Sequence, residues 1–111
     1  LGSFNGHLLF VTGSGDGFVH AFQPRTGKIV WKYPLSRRGV NGTPLIDGDR
    51  VFISQAEENP DDTTMGAVAA LDGKTTGELQ PNQAIWRTKE VVAGRSNAPL
   101  LIDDRLYLID D

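Results

Sequence analysis

The chain repeats itself, and a repeat missed at the outset would misread the whole fold. Gly42-Thr43-Pro44-Leu45-Ile46-Asp47-Gly48-Asp49-Arg50-Val51-Phe52-Ile53-Ser54 returns as Asn97-Ala98-Pro99-Leu100-Leu101-Ile102-Asp103-Asp104-Arg105-Leu106-Tyr107-Leu108-Ile109. Pro44 to Pro99, Arg50 to Arg105 and Trp31 to Trp86 all differ by 55. A further echo relates Asn5 through Val11 to Asp47 through Ile53 at an offset of 42, so the basic period is about 42, lengthened once. The extra residues fall in Gln55 to Gly66, rich in acids and turn formers, and around Leu79 to Asn82. Both stretches read as longer loops.

Between the loops lie short apolar runs bounded by Gly, Asp, Asn or Pro, which predicts strands. They cover 8–12, 18–23, 29–33, 44–46, 50–54, 67–71, 84–87, 99–102 and 106–109. No stretch sustains an apolar i, i+3, i+4 pattern, so no helix is predicted. Asp16-Gly17 reads as a type I′ hairpin turn, in which both central residues accept positive φ. Thr26-Gly27-Lys28 reads as a turn one hairpin later, and Asn41-Gly42-Thr43, formally a glycosylation sequon, also reads as a turn. Four antiparallel strands per period of about 42 is the pattern of a β-propeller blade.

The fold class expected is therefore all-β. On a blade template the first blade occupies 1–35 and lacks its inner strand, the second occupies 40–90, and the third, with two strands, occupies 95–111. The expectation is a fragment of about two and a half blades from a larger propeller of seven or eight.

Ala21-Phe22-Gln23-Pro24-Arg25-Thr26-Gly27-Lys28-Ile29-Val30-Trp31 resembles the tryptophan-docking motif of pyrroloquinoline-quinone-type propeller repeats, A-x-D-x-x-T-G-K-x-x-W. Gln23 stands where the family has aspartate, a change expected to weaken a turn hydrogen bond. Gly13-Ser14-Gly15-Asp16-Gly17 and the Val19-His20-Ala21 that follows are similar to the family's G-S-x-D-G-x-V-x-A. A second copy runs through Ala70, Asp72, Thr76 and Gly77, with Glu78 in place of lysine and a late Trp86. The resemblance implies that each tryptophan wedges between adjacent blades, joining two sheets through its large apolar face and its N–H. It leads us to expect that removing the Trp86 ring would cost more than removing Trp31.

Three functions travel with this resemblance: a quinoprotein dehydrogenase, a non-catalytic scaffold like the outer-membrane assembly lipoprotein of the same repeat family, and a sensor propeller attached to a signalling module. The scaffold is favoured, because it needs no residue that the sequence lacks. The resemblance also implies a periplasmic or otherwise exported protein. Pyrroloquinoline quinone is expected in a parent protein, if anywhere, and no cofactor in the chain itself.

Chemistry-bearing residues are few. The formal charge of −3 gives no basic field for a phosphate backbone, so no nucleic-acid partner is expected. No apolar run approaches the roughly 20 residues of a membrane-spanning helix, so no membrane insertion is expected. There is no cysteine and no G-x-S-x-G elbow, hence no catalytic residue is assigned. Gly13 to Gly17 is flanked by strands, whereas a phosphate-cradling loop opens a helix. Glu57, Glu58, Asp61 and Asp62 lack the spacing of a calcium loop and read as a candidate recognition loop, replaceable without loss of fold. His7 and His20 lie on different strands with no carboxylate at ligand spacing, so no metal is assigned. The partners expected are proteins or further blades, with self-association through unpaired strand edges.

Overall fold

The computed structural model describes residues 2–4, 7–40 and 44–90, together with the strand backbone at 100–102 and 105–107. Strands β1 (Gly2–Phe4), β2 (His7–Gly13), β3 (Phe18–Phe22) and β4 (Ile29–Pro34) form one antiparallel meander. β5 (Leu45–Asp47), β6 (Arg50–Glu58), β7 (Met65–Asp72) and β9 (Trp86–Lys89) form a second. The two-residue β8 (Gly77–Glu78) leaves the second meander and joins the first, parallel to β4. β10 (Leu100–Ile102) and β11 (Arg105–Tyr107) make a hairpin. These are propeller blades of antiparallel strands.

The first sheet corrects one expectation: β1 pairs with β2, Phe4 opposite His7, so the first blade has all four strands. Three residues rich in Gly and Ser carry little strand signal alone. They pair because Phe4 is buried in the core between the sheets, and its ring lies against Gly73, where a Cβ would come within 2.2 Å of it. Asn5-Gly6, Asn41-Gly42-Thr43 and the side chains of the third blade lie outside the described residues.

The core is the space between the two sheets. Leu9, Val11, Val19, Ala21, Trp31 and Tyr33 point from the first blade into Val51, Ile53, Ala67, Ala69 and Leu71 of the second. Strand alternation explains the set, since every second residue faces the neighbouring blade. At about 25 cal/mol per Å² of apolar surface removed from water, this contact is the main force holding the blades together.

The turn at Asp16-Gly17 differs from the type I′ expectation. Among non-glycine residues only Glu90 has positive φ in the described chain, so Asp16 does not, while Gly17 sits at +88°. Ser14 N donates to Phe18 O at 3.1 Å and Gly17 N to Ser14 O at 3.2 Å, closing a three-residue loop with one left-handed residue. Asp16 Oδ1 accepts from Phe18 N at 3.0 Å, which makes two left-handed positions unnecessary. Gly17 is required for a second reason: a Cβ there would lie 2.1 Å from Ser36 O.

The register corrects the 42-residue echo. That offset lays Phe10 on Phe52, yet the cross-strand row Val11–Ala21–Trp31 has its counterpart in Phe52–Ala70–Trp86. Phe10 therefore points away from the next blade, and Phe52 points toward it. A slip of one residue turns a strand over, and a sequence echo cannot see it.

Candidate functional site

The residues that the repeat makes distinctive meet at the junction between the blades. Trp31 is fully buried (0% exposed), opposite Ala21 on β3, and its Nε1 donates to Gly73 O at 3.2 Å. Its backbone lies beside Gly77 and that of Lys32 beside Glu78 in the parallel β4–β8 pairing, and Leu79 N donates to Lys32 O at 2.9 Å. Lys32 Nζ reaches Glu78 Oε1 at 3.0 Å. One residue further along the same face as Trp31, the buried Tyr33 hydroxyl donates to Pro81 O at 2.6 Å. Burial pushes the Tyr33 hydroxyl above its ordinary value, so it stays a donor.

The two Thr-Gly turns are built locally. Gly27 and Gly77 have φ of +70° and +86°. Gln23 does not lose the turn bond expected of aspartate: its Oε1 accepts from Thr26 Oγ1 at 2.9 Å, and Lys28 N donates to Thr26 Oγ1 at 3.2 Å. In the second copy Asp72 Oδ1 accepts from Lys74 N at 3.0 Å. The late arrival of Trp86 is absorbed by a 3-10 turn, Pro81–Gln83, inserted between β8 and β9. After it Trp86 still pairs with Ala70, as Trp31 pairs with Ala21. Yet Trp86 is 41% exposed, with Phe52 as its aromatic neighbour at 6.2 Å between ring centroids. The receiving blade is the one that follows the tryptophan, and of the two rings Trp31 is the buried one.

The acidic segment is also not the loop expected. β6 runs on to Glu58 and β7 starts at Met65, so the connection is only 59–64. Gln55, Ala56 and Asn59 are buried, with Gln55 Nε2 donating to Asn59 Oδ1 at 3.1 Å and Asn59 Nδ2 to Gly66 O at 3.0 Å. This hairpin end clamps the connection between the blades. Arg37 N donates to Glu58 O and Arg37 Nε to Asn59 O, both at 2.9 Å, and Arg38 pairs with Glu58 at 3.2 Å. From the other side Gly17 O accepts from Leu35 N at 3.1 Å and Ser36 N at 3.0 Å. Glu57 lies half-buried on the strand itself, its amide bonded to Gln55 Oε1.

Asp61 pairs with Arg87 and Asp62 with Lys89, tying the hairpin end to β9. The hydrogen bond from Arg87 holds the Asp61 carboxyl below its ordinary 3.8, and that from Lys89 holds Asp62 well below it. Folded values lower than unfolded ones stabilise the fold above about pH 4, and that contribution is lost as the pH falls through the lowered values. Melting temperature should therefore decline on acidification below about pH 4, and less steeply in Asp61→Asn/Asp62→Asn. Superimposable acid limbs would refute the assignment. The effect is modest, because both carboxylates are accessible to screening solvent.

The sequence missed one cluster. The β2–β3 loop brings Asp16 to His20, Oδ2 to Nε2 at 3.2 Å, with Ser14 Oγ at 3.4 Å from the same nitrogen. Spacing along the chain hid a carboxylate that the turn folds back. Serine and aspartate share one ring nitrogen and Ser14 donates to Asp16, whereas a nucleophilic relay needs the two on opposite nitrogens. Hydrogen bonds from Ser14 and Phe18 and the neighbouring His20 keep Asp16 below its ordinary value, despite some burial. The cluster pins the loop.

A family model described as outer membrane protein assembly factor BamB, a model of the PQQ-like repeat, matches residues 1–111. The chain belongs to this family. A comparison with curated proteins gave no significant match. Each of the two copies described in full supplies a tryptophan on its outer strand and a Thr-Gly turn.

The quinone in the family's name can be tested against the residues present. Among the described residues no group of three His, Cys, Asp or Glu could hold a metal ion. The cleft between the blades, about 300 Å³, is lined by Phe4, Leu9, Gln23, Val30 and Gly73 to Thr76. Its cation, Lys74, already faces Asp49 at 3.5 Å. This cleft alone offers the quinone's three carboxylates no further cation.

Proposed function

We propose that the chain is a non-catalytic β-propeller module of an exported protein, a rigid scaffold from which partner proteins are bound. The observation that carries the reading is the use made of the repeat's distinctive residues. Trp31, Gly73, Gly77 and Tyr33 join blade to blade, and the polar groups of 55–66 fasten the connection between them. These are assembly tasks, and a closed, rigid junction presents its surface loops in fixed positions, which is what recognition requires. The family description supports an exported scaffold over an enzyme or a sensor, although fold alone never assigns function.

The test is a titration of the purified chain with pyrroloquinoline quinone and calcium, read by quinone absorbance and calorimetry. The expected result is no saturable binding. Saturation in the micromolar range, or dye reduction with an alcohol or aldose, would overturn the scaffold in favour of a dehydrogenase.

A further inference from the structure

The repeat lengthens from 42 to 55 residues through two stretches separated in sequence, and the fold brings them to one place. Asp61 of the hairpin end meets Gln80, Pro81 and Asn82 of the inserted turn, and together they line a cleft of about 330 Å³. Both of its flanks belong to the internal junction. Tyr33 of the first blade holds Pro81 O, and Arg87 of the second holds Asp61. Packing of the blades does not account for the side chains at its mouth, since Asp61, Gln80 and Asn82 are all exposed.

The cleft is fixed before any ligand arrives. Leu79 N donates to Lys32 O at 2.9 Å, the Tyr33 hydroxyl to Pro81 O at 2.6 Å and Gln80 N to Gln83 Oε1 at 2.7 Å, which anchors the inserted turn on both sides of Asn82. Charge is balanced: Asp61 pairs with Arg87 and the neighbouring Asp62 with Lys89, so an ion finds no unmatched opposite charge. What remains is neutral hydrogen-bonding capacity of both kinds. The Asn82 carboxamide has no partner among the described residues and can both donate and accept. Arg87 Nη2 reaches Asp61 Oδ2, which leaves Asp61 Oδ1 able to accept. Arg87 Nη1 is closed off from solvent without a partner among the described residues, a buried donor that lacks an oxygen.

We infer that the two insertions build a binding cleft for a neutral, hydroxyl-rich ligand, a single sugar ring. Neighbouring ring hydroxyls each donate and accept, which matches a carboxylate set beside a carboxamide: one donates to Asp61 while the next bonds Asn82. The hydroxyl oxygen beside Asp61 is also the acceptor that Arg87 Nη1 lacks, met by a small turn of the guanidinium. The volume lies at the small end of ligand clefts, about 300–1,000 Å³, and suits one ring rather than a chain of them. No aromatic face lines the cleft, so binding is weak, in the millimolar range. The site goes beyond the scaffold reading and does not depend on it.

The experiment titrates the isotope-labelled full chain with the methyl glycosides of glucose, galactose, mannose and N-acetylglucosamine, followed by amide NMR spectra. At least one glycoside should shift the Asn82 side-chain amide and the Asp61 and Gln80 backbone amides together and saturably. Asn82→Ala changes an exposed residue and should melt as the parent does, yet bind that glycoside about tenfold more weakly, the worth of one ordinary hydrogen bond. No saturable shift with any of these glycosides, saturation only elsewhere on the chain, or equal affinity in Asn82→Ala would each overturn the proposal. Saturation of the same amides by calcium chloride or sodium sulfate, without a response to the sugars, would overturn it in favour of an ion site. None of these outcomes touches the scaffold reading, which stands or falls on the quinone titration.

Discussion

Replacing Trp31 by alanine should cost about 3–5 kcal/mol, the range for truncating a large aromatic buried on all sides. The ring is wholly inaccessible to solvent, and its loss leaves a void between two sheets and Gly73 O without its donor. Trp86→Ala removes a half-exposed ring whose aromatic contact is Phe52, a pairing worth about 1 kcal/mol. Thermal melts of the two variants at a concentration where the chain is monomeric read the difference directly. Equal losses would mean that the blade junction does not depend on the indole, and the structural account of the motif would fall. The larger effect is expected at Trp31 because its ring is buried against the blade that follows it.

Asn59→Ala should cost about 3 kcal/mol, although the residue lies in a segment that composition alone marks as a solvated acidic loop. The buried amide bonds Gln55, Thr64 and Gly66 at once, and its removal strands groups that water cannot reach. Each such orphan costs about 1–3 kcal/mol. The loss should be felt at a distance in sequence: the Arg37 amide, held by Glu58 O, should exchange hydrogen faster, while the Ala21 and Trp31 amides within the first sheet keep their protection. A variant with parental stability, or one in which both sets of amides exchange alike, would return the segment to the status of a replaceable loop. Trimming 55–66 to a short turn should unfold the junction between the blades for the same reason.

The two results bear on function through rigidity. The proposed scaffold would act by holding loops in a fixed relation, and the two described blades are fastened at two places, the indole socket and the hairpin clamp on residues 35–40. Both lie between blades.

Much of this architecture was legible in the amino-acid order. Period, strand alternation and glycine-bounded turns are local properties, and they gave the all-β class, the four-strand unit and the motif at 21–31, because alternation along a strand is fixed by backbone geometry. The places where reading failed are those that depend on residues far apart. Gly2–Phe4 became a strand through the packing of Phe4 on Gly73. Phe52 and Phe10, aligned by similarity, fell on opposite faces through a one-residue shift in pairing. Glu58, Asp61 and Asp62 look like free surface charge until the fold brings Arg38, Arg87 and Lys89 to them, and Asp16 meets His20 only when the loop closes. Trp31 and Trp86 occupy the same motif position, yet one is buried and the other is not. Sequence determined that each of the first two blades would offer an indole and a Thr-Gly turn; only tertiary structure decided that Trp31 meets the turn at Gly73 to Gly77, because burial belongs to the contact between two sheets.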